Sequence, residues 1–181
     1  SGRMFASQYF AEAGCAPDIM TTAKSIAAGM PISAVTARAE IMDKVAPGTI
    51  GGTFGANAMS AAAALKVIEI MERDDYPGKA LHIAEKVRTA FDAWVDKYEV
   101  VGNVRGTGAM MGIEFVTDKE TKTPNAAIVS AIVQEAMNNG LMLEAAGTYG
   151  NVIRFLCPLC ATDAQLEAGI EIFENALKAC M

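Results

Sequence analysis

Hydrophobic residues recur along this chain with a helical period in some stretches and as short runs in others. From about 78 to 98, Leu81, Ala84, Val87, Phe91, Trp94 and Tyr98 return every three or four residues. Lys79, Glu85, Lys86, Arg88, Asp92 and Asp96 lie between them, which predicts a long amphipathic helix. Ile128, Val129, Ile132, Val133, Ala136 and Met137 predict a second helix. It is entered at Thr123-Pro124, with proline at the first helical position, and stopped by Gly140. Thr162-Asp163-Ala164-Gln165 is a capping box, and the helix it opens buries Leu166, Ile170, Phe173 and Leu177. Val104 to Val116 reads as a strand entered through a glycine turn, and Leu141-Met142-Leu143 and Asn151 to Leu156 as short strands. From about 76 onward, helix–strand–helix–strand–strand–helix describes a small α+β domain.

The preceding stretch is less regular. Met4-Phe5-Ala6 and Ile32-Ser33-Ala34-Val35 read as strand pieces, with Pro31 at the start of the second. Residues 39–46 predict one short helix ending before Pro47. A glycine-rich loop over 48–55 leads to Asn57, a helix cap, and to a helix from about 58 to 72. That helix carries Ala61 to Ala64, then Leu65, Val67, Ile68, Ile70 and Met71, with its acidic residues Glu69 and Glu72 near the end. It is expected to be buried. Asp74-Asp75-Tyr76-Pro77-Gly78 looks like a boundary, so two domains are expected, 1–75 and 76–181. No internal repeat is visible.

Composition narrows the function classes. Hydrophobic residues make up 52% of the chain, which argues against disorder. No run approaches the roughly 18 uninterrupted apolar residues of a membrane helix, so no membrane partner is expected. Ser1-Gly2-Arg3-Met4 lacks the basic and apolar stretches of a secretory signal. A net charge of -6, with no basic cluster, makes nucleic acid an unexpected partner. The 4 cysteines suggest no disulfide framework and read as reduced thiols in a cytoplasmic protein.

Three positions are candidates for chemistry. Lys24 stands alone among small and apolar residues in Pro17-Asp18-Ile19-Met20-Thr21-Thr22-Ala23-Lys24-Ser25-Ile26-Ala27-Ala28-Gly29-Met30-Pro31. An ammonium in such surroundings is poorly solvated, and its amine form becomes an accessible nucleophile toward carbonyls. The plainer reading is a lysine at the end of a short helix. Gly51-Gly52-Thr53 with Phe54 lies ahead of a helix N-terminus, where backbone N–H groups and a hydroxyl suit an anion; the same loop also reads as a simple turn. Arg154 sits inside the apolar strand Asn151-Val152-Ile153-Arg154-Phe155-Leu156. It needs a partner, either a structural carboxylate such as Glu144 or Glu114, or a ligand.

Other features attract structural readings. Cys157-Pro158-Leu159-Cys160 lacks the βαβ context of a thioredoxin-type pair, and thiol–disulfide chemistry there would require a depressed thiol pKa. Cys15, Cys180 and His82 are poorly spaced to complete a zinc site, so no metal is expected. His82 reads as a surface histidine without a carboxylate at ligand spacing, and Arg105 as part of a turn.

The segment around Lys24 resembles the one carrying the Schiff-base lysine of class III (omega) aminotransferases, which bind pyridoxal phosphate. Ala39-Glu40-Ile41-Met42-Asp43-Lys44-Val45-Ala46-Pro47-Gly48 and Gly147-Thr148-Tyr149-Gly150-Asn151-Val152-Ile153-Arg154 extend the resemblance along essentially the whole chain, closest to the 4-aminobutyrate subgroup. It implies an α/β protein holding the C-terminal portion of the type I pyridoxal-phosphate transferase fold. Residues 1–75 would be the end of the large cofactor-binding domain and 76–181 the small domain. It implies that Lys24 is catalytic and holds the cofactor. Thr53, with Gly52, would reach the cofactor phosphate of a partner subunit, and Arg154 would grip a substrate carboxylate. The implied reaction transfers an amino group from an omega-amino acid to 2-oxoglutarate in a homodimer or higher homo-oligomer. The resemblance also places the aspartate for the pyridine nitrogen, the phosphate cup, the stacked aromatic ring and the glutamate partner of Arg154 upstream of Ser1. The chain by itself is therefore expected to be impaired. The alternative function is a non-catalytic α+β module that oligomerises or binds a partner.

Overall fold

The computed structural model describes residues 1–49, 51–53, 55 and 57–181. Phe54 of the predicted anion loop lies outside the described residues, as does Ile50 of the same loop. The chain divides into two compact units, Arg3–Tyr76 and Pro77–Met181 with Ser1–Gly2.

In the first unit, α1 (Ser7–Glu12) precedes β1 (Ile19–Thr22), a 3-10 turn (Lys24–Ala27), β2 (Ala34–Ala37), α2 (Ala39–Met42) and α3 (Ala58–Arg73). The strand expected at Met4-Phe5-Ala6 is absent. Ala6 is already in the helical region, and the Gln8 side chain accepts from the Phe5 N–H at 2.9 Å, so this backbone serves a helix start. β1 and β2 pair antiparallel from Ile19↔Ala37 to Thr22↔Ala34. The helix expected over 39–46 is hydrogen-bonded as α2 only to Met42 and continues as turns toward Pro47. Asn57 caps α3 as predicted, its Oδ1 accepting from Met59 N at 3.0 Å and Ser60 N at 3.1 Å. The expectation that α3 is buried fails: Ser60 is its one buried residue, and Met59 and Leu65 are each 69% exposed. This unit alone offers too little apolar surface to cover a helix that is hydrophobic nearly all round.

The second unit has a full core. Its elements are α4 (Tyr76–Lys97), β3 (Val101–Thr107), β4 (Met110–Asp118), β5 (Thr123–Pro124), α5 (Ala126–Asn138), β6 (Glu144–Ala146), β7 (Val152–Leu156) and α6 (Asp163–Ala179). The sheet runs β3-β4-β7-β6, with β5 pairing to β4, all antiparallel. Ile83, Val87, Phe91 and Trp94 of α4 meet Phe173 and Leu177 of α6 and Met111, Ile113 and Phe115 of β4. Phe91 and Trp94 rings lie 4.9 Å apart, and Trp94 meets Phe173 edge-on at 5.0 Å.

Three sequence expectations are corrected here. The single strand from Val104 to Val116 is a hairpin of β3 and β4, because Thr107 pairs with Met110 and the chain reverses at Gly108-Ala109. Gly108 has φ +57°, and a Cβ there would lie 2.5 Å from the Ser1 carbonyl carbon, so a side chain would block both the turn and the terminus resting on it. Thr123-Pro124 is a short edge strand, and Asn125 caps α5 by accepting from Ile128 N at 3.2 Å. Leu141 to Leu143 form no strand: Leu141 N donates back to Ala136 O at 2.9 Å, which holds it to the end of α5, and pairing starts at Glu144.

Glu174 ties α4 to α6. Its Oε1 accepts from Lys97 Nζ and Tyr98 Oη, each at 2.7 Å, and Lys178 lies 3.2 Å from Oε2. The bond from Lys97, then that from Tyr98, lowers its pKa from the ordinary 4.5 to about 2. A folded-state value below the unfolded one stabilises the fold above pH 4.5, and that contribution is lost as pH falls toward 2. In urea titrations at pH 7, Glu174→Gln is expected to lower stability by about 1–2 kcal/mol, and the difference is expected to vanish in acid. Phe91→Ala, which empties the centre of the aromatic cluster, is expected to cost about 3–5 kcal/mol in the same titration at every pH.

Candidate functional site

Lys24 is placed by the end of a strand. β1 closes at Thr22, Ala23 is extended with φ -161°, and the chain then turns sharply. Lys24 opens the 3-10 turn with φ +60°, in the left-handed region where a residue with a Cβ is strained by roughly 1–2 kcal/mol. The turn ends on Ala28, also left-handed at φ +50°, and Gly29 at φ +95°. Burial holds this geometry. Ala27 is fully buried, and α3 packs on the turn. Ala23, Ser25 and Ile26 face Val67, Ile68 and Met71 of α3 across a cavity of about 260 Å³. Ile26 is half-buried and Ala27 buried, while Ala23, Lys24 and Ser25 are exposed. The expected desolvation of the amine is therefore not supplied by this chain alone, although the residues that flank it are small and apolar.

Gly51, Gly52 and Thr53 are exposed ahead of α3. Gly55 N donates to Gly52 O at 2.9 Å and closes a tight turn. A Cβ on Gly51 or Gly52 would meet nothing within 4 Å, so packing inside this chain does not call for glycine at either position. α3 is 16 residues long, and its positive N-terminal end follows this loop. Ser60, in the first turn of α3, is fully buried, and its Oγ has no hydrogen-bond partner. A lone serine in an alanine-rich run gave no sequence signal for such a position.

Arg154 belongs to a row that crosses the sheet. Arg105 on β3 pairs with Gly112 on β4, Gly112 with Arg154 on β7, and Arg154 with Glu144 on β6. Residues in register share a face, so two arginines stand on one side of the sheet, separated by the bare backbone of Gly112. Arg154 forms an ion pair with Glu144, one of the two carboxylates considered from sequence, and Glu114 is taken by Arg105 and Asn151. The Arg154 side chain is 37% exposed and that of Glu144 64%, yet Arg154 Nε is buried without a partner. Part of the guanidinium is thus free of any protein acceptor. Arg105, read from sequence as part of a turn, is a strand residue of the same row.

The first unit holds Lys24, Gly52 and Thr53; the second holds Arg154. These residues present an exposed primary amine, an uncluttered glycine loop at a helix N-terminus and a partly unsatisfied guanidinium. The amine and glycine loop of the first unit suit an aldehyde cofactor bearing a phosphate, and the guanidinium of the second suits a carboxylate. Among the described residues no group of three or more His, Cys, Asp and Glu could hold a metal.

Two expectations outside this set change. His82 is a surface residue but has a carboxylate: its Nε2 lies 2.8 Å from Asp163 Oδ1, and Lys86 Nζ is 2.8 Å from Oδ2. Lys86, then His82, holds the Asp163 carboxyl below the usual range. The pairing joins α4 to α6 across 81 residues, beyond the reach of spacing arguments. Burial pushes the Cys157 thiol up, opposite to what thiol–disulfide catalysis requires.

The family model for class III aminotransferases matches residues 1–177. The chain is 43% identical to a 5-aminovalerate aminotransferase of Pseudomonas putida over 97% of its own length. It is 42% identical to a 4-aminobutyrate aminotransferase of Escherichia coli over 97% of its length. It spans 40% of the length of each of these relatives. An amine transaminase from an uncultivated Pseudomonas species, solved in its PLP-bound form, superposes with a TM-score of 0.87 at 32% identity, covering 100% of this chain and 42% of that one. An omega transaminase from Pseudomonas jessenii, in complex with PMP, superposes at 0.89 and 26% identity, covering 99% of this chain and 41% of that one.

The backbone at position 24 can be tested without any ligand. Lys24→Gly is expected to raise stability against urea by about 1 kcal/mol, because glycine tolerates positive φ, whereas Lys24→Ala keeps the strain and is expected to change little.

Proposed function

We infer the function from kinship and site together: the chain belongs to the class III aminotransferases, a pyridoxal-phosphate-dependent family, and has the C-terminal portion of the type I fold. We propose that it serves an omega-amino-acid aminotransferase. The enzyme would move the terminal amino group of a substrate such as 4-aminobutyrate to 2-oxoglutarate. The observation that carries this reading is the left-handed backbone of Lys24, a strained conformation held by a buried turn at the end of a strand. The two relatives named above act on substrates one methylene apart in length and are matched almost equally, so the proposal covers that substrate class.

Pyridoxal phosphate, when bound, supplies an aldehyde that condenses with amines and a conjugated ring that takes up an electron pair. In this proposal Lys24 is the residue that holds it. Lys24 Nζ would also be the base that carries the proton leaving the substrate's amine-bearing carbon. Gly52 and Thr53, with the N-terminal end of α3, bind the phosphate of a second copy's cofactor. The exposed apolar residues of α3, Met59 and Leu65 among them, support a homodimer in which that helix is covered. Arg154 orients the substrate through a two-pronged bond to its carboxylate, which takes the guanidinium over from the exposed Glu144. The four cysteines, all free, fit a cytoplasmic setting. No helix among the described residues is long and apolar enough to cross a membrane.

Pyridoxal phosphate added to the chain is expected to give a visible absorption band that Lys24→Ala abolishes. Borohydride reduction is expected to fix the cofactor's mass on the Lys24 peptide. Labelling spread over other lysines, or thermal unfolding indifferent to the cofactor, would support the non-catalytic module instead. Where transamination is measured, Arg154→Gln is expected to raise KM for the carboxylate substrate by about 10–100-fold.

A further inference from the structure

The second unit contains an apolar cavity of about 430 Å³ that the proposed reaction does not use. Phe91, Phe155, Phe173 and Leu141 line it together with two thiols, Cys157 and Cys160. Neither cysteine is in a disulfide. The segment that bears them is short and held at both ends. Cys157 follows the last residue of β7, Ala161 N donates to Pro158 O at 3.0 Å, and the capping box at Thr162 anchors α6 immediately afterwards. The fold therefore places both thiols in the lining of one cavity.

We propose that Cys157 and Cys160 are a paired modification site, oxidised to an intramolecular disulfide by hydrogen peroxide or a related small peroxide. The two positions differ in a way that orders the steps. Cys160 is exposed and meets the oxidant first; Cys157 is half-buried. Burial raises the Cys157 thiol above its ordinary value, and charge on Cys160 adds to the shift. The Cys160 thiolate attacks one peroxide oxygen, the O–O bond breaks, and sulfenic acid forms with release of hydroxide. The Cys157 sulfur then attacks the Cys160 sulfur, the S–O bond breaks, and water leaves as the disulfide forms. Two thiols have lost two hydrogens, and one peroxide has become two waters. This is stoichiometric modification, not thiol-exchange catalysis: Cys157 gives up its proton as its sulfur attacks, and its raised pKa slows that second step without preventing it.

The test uses the whole chain. After limited peroxide treatment and trypsin digestion, the peptide Phe155–Lys178, which contains both cysteines, is expected to lose two hydrogens and resist alkylation until dithiothreitol is added. Cys157→Ser is expected to leave Cys160 as a sulfenic acid that reacts with dimedone, and Cys160→Ser to leave Cys157 reduced over the same exposure. The disulfide is expected to form faster in the folded chain than in urea. Equal rates in both would overturn the claim that the fold presents the pair. Independent overoxidation of each cysteine, or disulfides to Cys15, to Cys180 or between molecules, would overturn the pairing itself.

Discussion

The second unit is organised by the two-residue period of its central strand. In β4, Met111, Ile113 and Phe115 turn to one face and are buried, while Met110, Gly112 and Glu114 turn to the other. Antiparallel pairing carries this division across the sheet. Val104, Ile113 and Ile153 lie in one register, beneath the helices. Arg105, Gly112, Arg154 and Glu144 lie in another register, away from the core. A slip of one residue would exchange the two sets and drive both arginines into the aromatic cluster. The position of Arg154 is thus secured by burial on the opposite face, and its ion pair with Glu144 follows from register. The Glu144 side is open to water, so that pair can be exchanged for another carboxylate at small cost.

The first unit follows a different economy. Among its described residues only Ala27, in the Lys24 turn, and Ser60, in the first turn of α3, are buried, and α3 packs against the Lys24 turn. That contact sustains a left-handed lysine, which local propensity disfavours. Strain concentrated beside a primary amine, with little burial elsewhere, agrees with the proposed covering of this unit by a second copy. In the proposed enzyme, the covering surface also desolvates the amine, which the chain leaves exposed.

Much of the architecture was legible in the amino-acid order. The amphipathic stripes of α4, α5 and α6, the Asn57 cap and the Thr162 capping box all appear where periodicity and capping chemistry place them, because these are interactions within a few residues. Errors gathered at strands. One apolar run became the β3–β4 hairpin, and the pairing expected at Leu141 began at Glu144. A strand exists only when a distant partner pairs with it, and short apolar runs do not name that partner. Of the site, Lys24, Thr53 and Arg154 were selected by their company in sequence. The unpartnered Ser60 hydroxyl and the alignment of Arg105 with Arg154 carried no local signal.

Residue order by itself therefore determined the stripes of α4, α5 and α6, the Asn57 and Thr162 caps and the short list of chemically capable side chains, since each depends on neighbours three or four positions away. Tertiary structure alone decided which carboxylate neutralises Arg154, that His82 meets Asp163, and that Lys24 adopts positive φ. Those outcomes are set by strand register and by the packing of α3 or α6 against segments far along the chain, where burial outweighs local preference.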